Sequence, residues 1–600
     1  MAIQRIFISV FFVFIFLLFF RPIETEDVWW HLSTGRWIVE HLQVPHQDPF
    51  PFVNEKTSWL CYHWLGSTIL YLVVKVGGLF GLKVFRSIFF ICVIGLFYFH
   101  ARKYIPFYLL MILMLLMSFG AVFRPFLKAD MFNFIFIQIF LINLLDYQQT
   151  GQRLRLLVLP ILGILWFNIH IGSFTYGGML LLIFIFSAGI KYLDCKFQPH
   201  SPYKIDTVKK QFKDLSLVLL AFVAGFLINP YGLEGFLFPF KIFFSNAFLN
   251  SKDVNSLIND FLPGEFVFTY YHYFYFHILV FLGLLVLFFN KKENLTLALL
   301  FFVSLFSFLC VRRNAVFFVI IAGYVIVQGA RGIDFKNIWN RFSGVKILEA
   351  VLAVGLAIFL IIWINNICNR KVFVDHQLKS YQSVLVDFDD NYFKDLISSG
   401  ITGPILNKDL LGGEILWTGY PFLRPFLDGR NLNVKRFADS IFMDRYPQAW
   451  PLAEKFYKFK IVLLHMGNPN SFELALYINS QPSWQLISIK GAYVLFVKRG
   501  EFFHLSKEFS DFEQQLKSVE FSIQDINALK SLAERPLPSM WKEIFDPSVD
   551  DQELFFSASV LRDLGYKGAA VNNLIAAFQI HSNDRMQLLA NLLIKELSNK

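Results

Sequence analysis

Residues 5–24 read RIFISVFFVFIFLLFFRPIE, and this stretch decides the class of fold. A basic residue followed by a long apolar run is typical of a signal peptide, but no small-residue cleavage site follows Phe20. The run is also nearly long enough to cross a bilayer, whose hydrocarbon core is about 30 Å thick. We therefore predict that this stretch is retained as a transmembrane helix.

Similar apolar runs recur along the first 364 residues. The chain is 56% hydrophobic and only 17% charged, which is too apolar for a protein whose whole surface faces water. Lipid must therefore be the solvent for much of it, and we predict an all-α polytopic bundle of about eleven or twelve spans. The candidate runs are 5–20, 64–80, 85–100, 105–123, 131–146, 155–169, 172–190, 215–229, 272–290, 294–311, 314–329 and 347–364.

The basic loops predict the orientation of these runs. Lysines crowd the segment 191–213 and basic residues recur in 331–346, so both segments should face the cytoplasm. Counting from them puts the acidic loop 21–63 and the tail from residue 371 outside. Six runs lie between the loop 21–63 and the segment 191–213, and an even number of crossings would put both on the same side of the membrane. We therefore expect one run to be a half-span, at 85–100 or 105–123.

The tail after Ile364 has the mixed composition of a soluble protein. We predict a transmembrane domain over 1–366, an extracytoplasmic α/β domain over 371–500, and a helical region over 501–600. The predicted elements of the α/β domain are strands at Pro404–Asn407, Ile415–Trp417 and Ile461–His465, a helix around Ala449–Phe459, and a hairpin at Trp484–Lys498. The last helices, Leu554–Leu564, Ala569–Ile580 and Met586–Leu597, resemble one and a half tetratricopeptide units.

Composition argues against two kinds of partner. The net charge is +10, but the basic residues are scattered between apolar runs, so no nucleic-acid surface is predicted. The five cysteines lie far apart and lack paired spacing, which indicates neither a disulfide framework nor a zinc site. No phosphate-cradling glycine loop occurs either.

The most informative polar stretch reads EDVWWHLSTGRWI at residues 26–38. Trp30, Trp37, Ile38 and His41 fall near helical spacing, so we predict a helix in the outer interface with its indole rings at headgroup level. The acidic side chains that precede it would lie just above the membrane.

An acidic residue soon after the first span, then a short interfacial helix and many further spans, resembles the C-type glycosyltransferase superfamily. This superfamily includes protein O-mannosyltransferases, aminoarabinose transferases and oligosaccharyltransferases. Over residues 1 to about 500 the chain more closely resembles a group of uncharacterised bacterial membrane proteins within it. The shared motifs are DVWWH at 27–31, DPF at 48–50, RP at 124–125, WFNIHIG at 166–172, NPYG at 229–232, RN at 313–314, GGEI at 412–415 and FLDGR at 426–430. One motif departs, because the usual His-Gly pair is interrupted by Ile171.

The resemblance implies transfer of a sugar from a polyprenyl-phosphate donor to an envelope glycan, lipid or protein, at the outer face of the bacterial inner membrane. Such transfer with inversion needs a general base for the acceptor and cations for the leaving phosphate. The resemblance puts Asp27 in the position of the base, with Glu26 and Asp48 as further catalytic candidates. From the residues alone, Asp27 can also be the N-cap of the helix that follows it. Asp48 can also be the first residue of a turn.

Seven residues are candidates for binding the substrate. Polar groups at the end of an apolar run either face a cavity or pack between helices, because lipid cannot satisfy them. Paired arginines on the predicted outer side oppose the positive-inside trend, so they either snorkel to lipid phosphates or hold a prenyl phosphate in a guanidinium fork. The candidates are His31, Arg124, Trp166, Asn168, His170, Arg312 and Arg313.

No bound cofactor is predicted, and metal dependence through Asp27 and Glu26 is left open. The competing hypothesis is a non-catalytic envelope protein with a lipid-binding cavity, whose C-terminal helices dock a protein partner. A transporter is disfavoured because no inverted repeat or matched pair of broken helices is evident. Convergence of Asp27, Asn168 and His170 on one outward-opening cavity would favour the enzyme over the non-catalytic protein.

Overall fold

The computed structural model describes most of the chain as helix, together with one small mixed sheet. The predicted site residues Glu26, Arg124, Arg312 and Arg313, and the predicted run 347–364 apart from Gly355, lie outside the described residues. The described residues are 2–21, 23, 27–52, 57–122, 126–198, 200–244, 274–289, 294–311, 314–332, 355, 392–430, 432–466, 469–519, 523–533, 557–580 and 584–598.

The chain divides into two compact units that both draw on distant parts of the sequence. The first unit comprises residues 1–25, 34–46 and 60–365, and the second comprises 26–33, 47–59 and 366–600. The segment 21–63 is thus shared between the units. The predicted domain boundaries at 366, 371 and 500 stay predictions.

The first unit is helical, because its apolar runs satisfy their own backbone hydrogen bonds only as helices. Of the described helices, Trp64–Ala101, Ala129–Thr150 and Thr175–Phe197 are long and apolar enough to cross a membrane. Six shorter ones are also apolar. The helices of this unit are Ala2–Phe19, Trp64–Ala101, Phe107–Val122, Asn133–Thr150, Leu154–Ile169, Phe174–Phe197, Ile205–Gly225, Gly232–Phe244, Phe274–Phe289, Asn294–Cys310 and Ala315–Gly329. The helix Asp27–His41 begins in the second unit and ends in the first.

The predicted runs 64–80 and 85–100 correspond to the two arms of the helix Trp64–Ala101, because the helical geometry is interrupted between them. Its geometry is broken at Gly78, where φ is 61° and ψ is −166°. Glycine adopts this left-handed φ without the steric cost that a Cβ brings. The arm before the break is about 21 Å long and the arm after it about 34 Å, so only the second spans a bilayer alone.

The second unit contains a five-stranded mixed sheet in the order β2-β1-β3-β5-β4. β1 pairs in parallel with β2 and β3, and β5 pairs antiparallel with β3 and β4. The strands are β1 Gly403–Leu406, β2 Leu423–Pro425, β3 Ile461–His465, β4 Trp484–Lys490 and β5 Tyr493–Lys498. The predicted strands at 404–407 and 461–465 and the predicted hairpin are confirmed.

The predicted strand at Ile415–Trp417 is wrong, because these residues lie in the helix Asp409–Gly419. Leu411, Ile415 and Leu416 are buried there at helical spacing. The edge strand β2 follows that helix instead. The other described helices of the unit are Tyr392–Ser398, Val434–Arg445, Trp450–Tyr457, Pro469–Asn479, Ser506–Ser518, Ile523–Ala533, Lys567–Ile580 and Asp584–Ser598.

Both faces of the sheet are buried, as the uninterrupted apolar sequence of β3 requires. Ile461 and Leu463 pack into the core on one face, and Val462 and Leu464 into the core on the other. The C-terminal helices contribute to the second core through Ala570, Leu574 and Leu593. These helices therefore pack on the α/β domain, while docking of a protein partner by them stays a prediction.

Candidate functional site

A buried arginine organises the candidate site of the second unit. Arg430 donates from Nε and Nη2 to the two carboxylate oxygens of Asp428, at 2.8 and 2.9 Å. Its Nη1 donates to Oδ1 of Asp48 at 2.5 Å. One guanidinium thus binds two carboxylates, and the planar fork of arginine suits this bidentate geometry. We call Asp27, Asp48, Asp409, Asp428 and Arg430 the carboxylate cluster.

Arg430 is held from all sides. Its side chain is 2% exposed, and that of Asp48 is 4% exposed. The guanidinium carbon also lies 5.1 Å from the centre of the Phe50 ring and 5.0 Å from that of Trp59. A cation buried this deeply is tolerated only because it is paired and hydrogen-bonded.

The ion pair also fixes the charge of Asp428. Burial alone would raise the pKa of its carboxyl group, but the charge and hydrogen bonds of Arg430 outweigh burial and lower the pKa below the usual value. Asp428 is therefore ionised at neutral pH. Because Asp428 is the counter-ion of Arg430, its carboxylate is poorly suited to accepting a proton.

Asp48 and Asp428 each also shape a local turn. Oδ1 of Asp48 accepts a hydrogen bond from the backbone N–H of Phe50 at 2.9 Å. Oδ1 of Asp428 accepts one from the backbone N–H of Arg430, also at 2.9 Å. Both are turns of the kind that aspartate forms with the residue two positions on. The predicted turn at Asp48 is therefore confirmed, and a turn of the same kind occurs at Asp428.

Asp27 is the first residue of the helix Asp27–His41. Its Oδ1 accepts a hydrogen bond from Nε1 of Trp30 at 2.9 Å, and the Trp30 ring stacks on His31 at a centroid distance of 3.7 Å. A Cβ at Gly429 would lie 2.8 Å from Oδ1 of Asp27 and 3.0 Å from Nε1 of Trp30. Glycine therefore lets the Asp428-Gly429-Arg430 turn approach the Asp27 carboxylate closely.

A second glycine brings the helix Asp409–Gly419 against the same turn. A Cβ at Gly412 would lie 1.9 Å from the carbonyl oxygen of Leu427. Burial raises the pKa of Asp409, the first residue of that helix, and the negative charge of Asp27 raises it further. Four of the quoted motifs, DVWWH, DPF, GGEI and FLDGR, thus meet in one cluster.

A different, largely neutral group of side chains lies in the first unit. Oδ1 of Asn168 accepts a hydrogen bond from Nε1 of Trp64 at 3.0 Å. Its Nδ2 donates to the carbonyl oxygens of Ile164 and Ile228, at 2.9 and 2.8 Å. Asn168 thereby joins three segments of the unit. We call His63, Trp64, Asn168, His170 and Tyr231 the histidine cluster.

The two histidines of this cluster lie close together. His170 ends the helix Leu154–Ile169 in an extended conformation, and its ring centre is 4.8 Å from that of His63. Both rings are buried, at 8% and 7% exposure. A Cβ at Gly172 would lie 3.0 Å from Cε1 of His170, so the displaced glycine of this motif still packs against the imidazole.

A half-buried phenol joins the loops beside the histidines. Tyr231, from the NPYG motif, accepts a hydrogen bond from the backbone N–H of Cys61 and donates one to the carbonyl oxygen of Pro45, both at 2.8 Å. Gly66 lets the neighbouring helix approach, since a Cβ there would lie 2.9 Å from the carbonyl oxygen of Ile169. The WFNIHIG and NPYG motifs therefore share one cluster.

The predicted site residues divide between the two units. Asp27, His31 and Asp48 belong to the second unit, and Trp166, Asn168 and His170 to the first. Trp166 is 1% exposed, donates from Nε1 to Oδ1 of Asn133 at 2.7 Å, and stacks on Phe136. Convergence on one cavity and the roles of these residues with substrate stay predictions.

Sequence reasoning missed six residues of these clusters, namely Asp409, Asp428, Arg430, His63, Trp64 and Tyr231. The FLDGR and NPYG motifs were quoted only as shared motifs with no role predicted for Arg430 or Tyr231, and His63 lies outside the quoted motifs. Nothing local to Asp409 distinguishes it from an ordinary first helical residue. Only the three-dimensional contacts identify these residues.

Metal binding receives no support within the described part of the chain. No group of three or more His, Cys, Asp or Glu side chains there is arranged to hold an ion. Asp48 and Asp428 instead share the guanidinium of Arg430, which supplies the positive charge between them.

Neither a protein-family model nor a curated protein matches this sequence. Solved structures of the oligosaccharyltransferase from Archaeoglobus fulgidus are similar to it. The complex of that enzyme, AglB, with an inhibitory peptide and a dolichol-phosphate is 11% identical, with 96% of this chain and 86% of that chain covered and a TM-score of 0.46. The apo form is 10% identical, with the same coverage and a TM-score of 0.45. The bacterial origin and the relation to protein O-mannosyltransferases and aminoarabinose transferases stay predictions from the sequence.

Proposed function

We propose that this chain is a membrane glycosyltransferase that transfers a sugar from a polyprenyl-phosphate donor to an acceptor in the cell envelope. The acceptor class comprises envelope glycans, lipids and proteins. The observation that carries the proposal is the carboxylate cluster, in which the Asp27 carboxylate is held by Trp30 close to the Asp428-Gly429-Arg430 turn.

The division of labour among the carboxylates supports this proposal. Arg430 neutralises Asp48 and Asp428 and holds both in fixed positions. Asp27 accepts a hydrogen bond from Nε1 of Trp30, which orients its carboxylate. A general base has to be positioned beside the acceptor, and the hydrogen bond from Trp30 positions Asp27, whereas Arg430 engages Asp48 and Asp428.

The proposed reaction is an inverting transfer. The Asp27 carboxylate accepts the proton of an acceptor O–H group, and the acceptor oxygen forms a bond to the anomeric carbon of the sugar. The bond between that carbon and the phosphate oxygen breaks, and the polyprenyl phosphate leaves with the electron pair. Cations that stabilise the departing phosphate lower the barrier, and Arg124, Arg312 and Arg313 are the proposed candidates.

The proposed setting is the outer face of a bacterial inner membrane, with the basic segment 191–213 in the cytoplasm. The geometry of the helix Trp64–Ala101 supports this topology. If its two arms count as one crossing, the number of spans between the loop 21–63 and the segment 191–213 becomes odd, as the proposed orientation requires.

Consumption of donor by the full-length chain tests the proposed function. Membranes that contain the protein are supplied with polyprenyl-phosphate sugars carrying a radiolabelled pentose, hexose or N-acetylhexosamine, together with an envelope extract, and released polyprenyl phosphate is measured. We expect at least one donor to be consumed. Asp27→Asn should lower the rate at least about 100-fold, because loss of a general base costs about 10²- to 10⁴-fold.

The asparagine variant preserves the acceptor for the Trp30 indole, so the fold should persist. Asp395→Asn is the matched control, since Asp395 is an exposed aspartate in the first turn of the helix Tyr392–Ser398. It should keep the wild-type rate. Equal rates for the two variants would overturn the role of Asp27, and consumption of no donor by the wild type would favour the non-catalytic envelope protein.

A further inference from the structure

An apolar groove runs along one side of the helix Phe174–Phe197 in the first unit. The flanking helices are Ile205–Gly225 and Asn294–Cys310, and the volume is about 960 Å³. The rims carry large exposed side chains, Leu182, Phe186, Leu193 and Phe212. The groove is apolar and lies on a helix that is able to cross a membrane, so it is suited to binding hydrocarbon chains.

The groove is longer than the hydrocarbon layer of one leaflet is thick. Its lining extends from Met179 to Leu193 on the central helix, which is about 21 Å along the helix axis. Half of a bilayer contributes about 15 Å of hydrocarbon, so acyl chains of one leaflet fit inside with their headgroup at the end of the groove.

A single lysine marks that end. Lys209 is the charged residue among the described residues that line the groove. It lies in the first turns of the helix Ile205–Gly225, which follows the central helix after a short connection. The segment 191–213 that contains Lys209 holds six lysines against two aspartates, Asp194 and Asp206. The end of the groove is therefore positively charged, whereas its walls are apolar.

A second lysine is fixed beside the groove. Lys191, which adjoins the lining residues Ile190 and Tyr192, is 5% exposed. Its Nζ lies 3.4 Å from Oγ1 of Thr296 and 5.3 Å from the centre of the Tyr203 ring. Basic pockets between membrane helices favour anionic headgroups, since each cation contributes about 1 kcal/mol near a negatively charged lipid.

From this apolar groove and its charged end, we infer that the first unit binds an anionic phospholipid of the leaflet on the side of segment 191–213. The acyl chains occupy the groove and the phosphate contacts Lys209. This site uses none of the residues assigned to sugar transfer, and it holds whether or not the transfer reaction occurs.

Native mass spectrometry of the full-length protein in detergent tests the inference. The probes are phosphatidylglycerol and phosphatidylcholine with the same acyl chains. We expect phosphatidylglycerol to be retained more strongly, and Lys209→Ala to weaken its binding about fivefold. Lys210→Ala is the matched control, because Lys210 is also exposed but does not line the groove. Equal effects of the two alanine variants would overturn the headgroup assignment.

A second pair of variants tests the acyl-chain site. A side chain at Gly189 would enter the groove beside Phe212, whose ring lies 3.5 Å from the position of a Cβ. Gly189→Leu should therefore reduce binding of both lipids. Gly178→Leu, on the same helix but outside the lining, should bind as the wild type does. Unchanged binding in Gly189→Leu, or displacement of phosphatidylglycerol by undecaprenyl phosphate at equal concentration, would overturn the choice of occupant.

Discussion

The carboxylate cluster and the histidine cluster solve the problem of burying polar groups in different ways. In the first, charges face one another, and Arg430 lies between Asp48 and Asp428. In the second, neutral donors meet neutral acceptors, as Asn168 does with Trp64, Ile164 and Ile228. Removing one partner in the first leaves buried charge, whereas removing one in the second leaves only an unmet hydrogen bond.

This difference matters for function. Charged groups change their protonation with pH and with their neighbours, so the carboxylate cluster is suited to moving a proton. Asn168 and Tyr231 have no such freedom near neutral pH, but they connect segments that are distant in sequence. Asn168 and Tyr231 are therefore suited to fixing a geometry, and variants of Asn168 and of Arg430 should differ in kind as well as in size.

The largest effect should come from Arg430→Met. This change leaves Asp48 and Asp428 buried without their cation, and uncompensated buried charge costs about 3–5 kcal/mol. Chemical denaturation of the purified full-length chain measures the change in the free energy of unfolding. Arg445→Met is the control, because Arg445 is exposed and its loss should cost less than about 0.5 kcal/mol.

A triple variant sharpens that test. Combining Arg430→Met with Asp48→Asn and Asp428→Asn removes all three charges while it retains both aspartate-type turns. Stability should then recover in part, since no unpaired charge remains buried. A triple variant less stable than Arg430→Met would contradict the view that charge imbalance is the main cost.

A smaller loss is expected from Asn168→Ala in the histidine cluster. The change leaves the Trp64 indole N–H and the Ile228 carbonyl without their described partner, at a cost of about 2 kcal/mol. Asn143→Ala is the comparison, because the hydrogen bond of that buried asparagine runs to Ile139 within its own helix. Its cost should be below about 1 kcal/mol. Equal losses of unfolding free energy in the two variants would mean that the hydrogen bonds of Asn168 between segments stabilise the fold no more than a bond within one helix does.

Much of the fold was predictable because its signals are local. Apolar runs identified most helices of the first unit, and the buried strand β3 followed from five consecutive apolar or half-polar residues, Ile461–His465. Ile415–Trp417 misled because three large apolar residues fit a strand as well as the buried stripe of a helix. The break within Trp64–Ala101 lies at Gly78 rather than between residues 80 and 85, and its position was missed because glycine is common inside membrane helices, where it seldom marks a left-handed residue.

The candidate site was predictable only in part. Asp27 and Asp48 stand out because acidic residues are conspicuous beside an apolar run, and their turns follow from local chemistry. The pairing of Asp48 with Arg430 joins residues 382 positions apart, and no periodicity within either segment contains that information. Likewise, the close approach of Gly429 to Asp27 depends on how the sheet domain folds rather than on the glycine itself.

The smallest effect, a pH dependence, concerns Asp409 and Asp27 together. Burial and the negative charge of Asp27 raise the pKa of Asp409 above its usual value near 4. A raised carboxyl pKa contributes stability that is present at low pH and is lost as the pH rises through the folded-state pKa. The wild type should therefore lose stability relative to Asp409→Asn as the pH rises from about 4 toward neutral.

Asp27→Asn sharpens this prediction, because it removes one of the causes that raise the pKa of Asp409. In that background, the unfolding free energy of Asp27→Asn is compared at each pH with that of the double variant that also carries Asp409→Asn. The fall in this free-energy difference with rising pH should occur at lower pH, and should be smaller, than it is in the wild-type background. Asparagine still accepts hydrogen bonds at a helix start, so loss of helix capping does not produce the same shift. An unchanged pH dependence of this difference would mean that the two carboxylates do not influence each other.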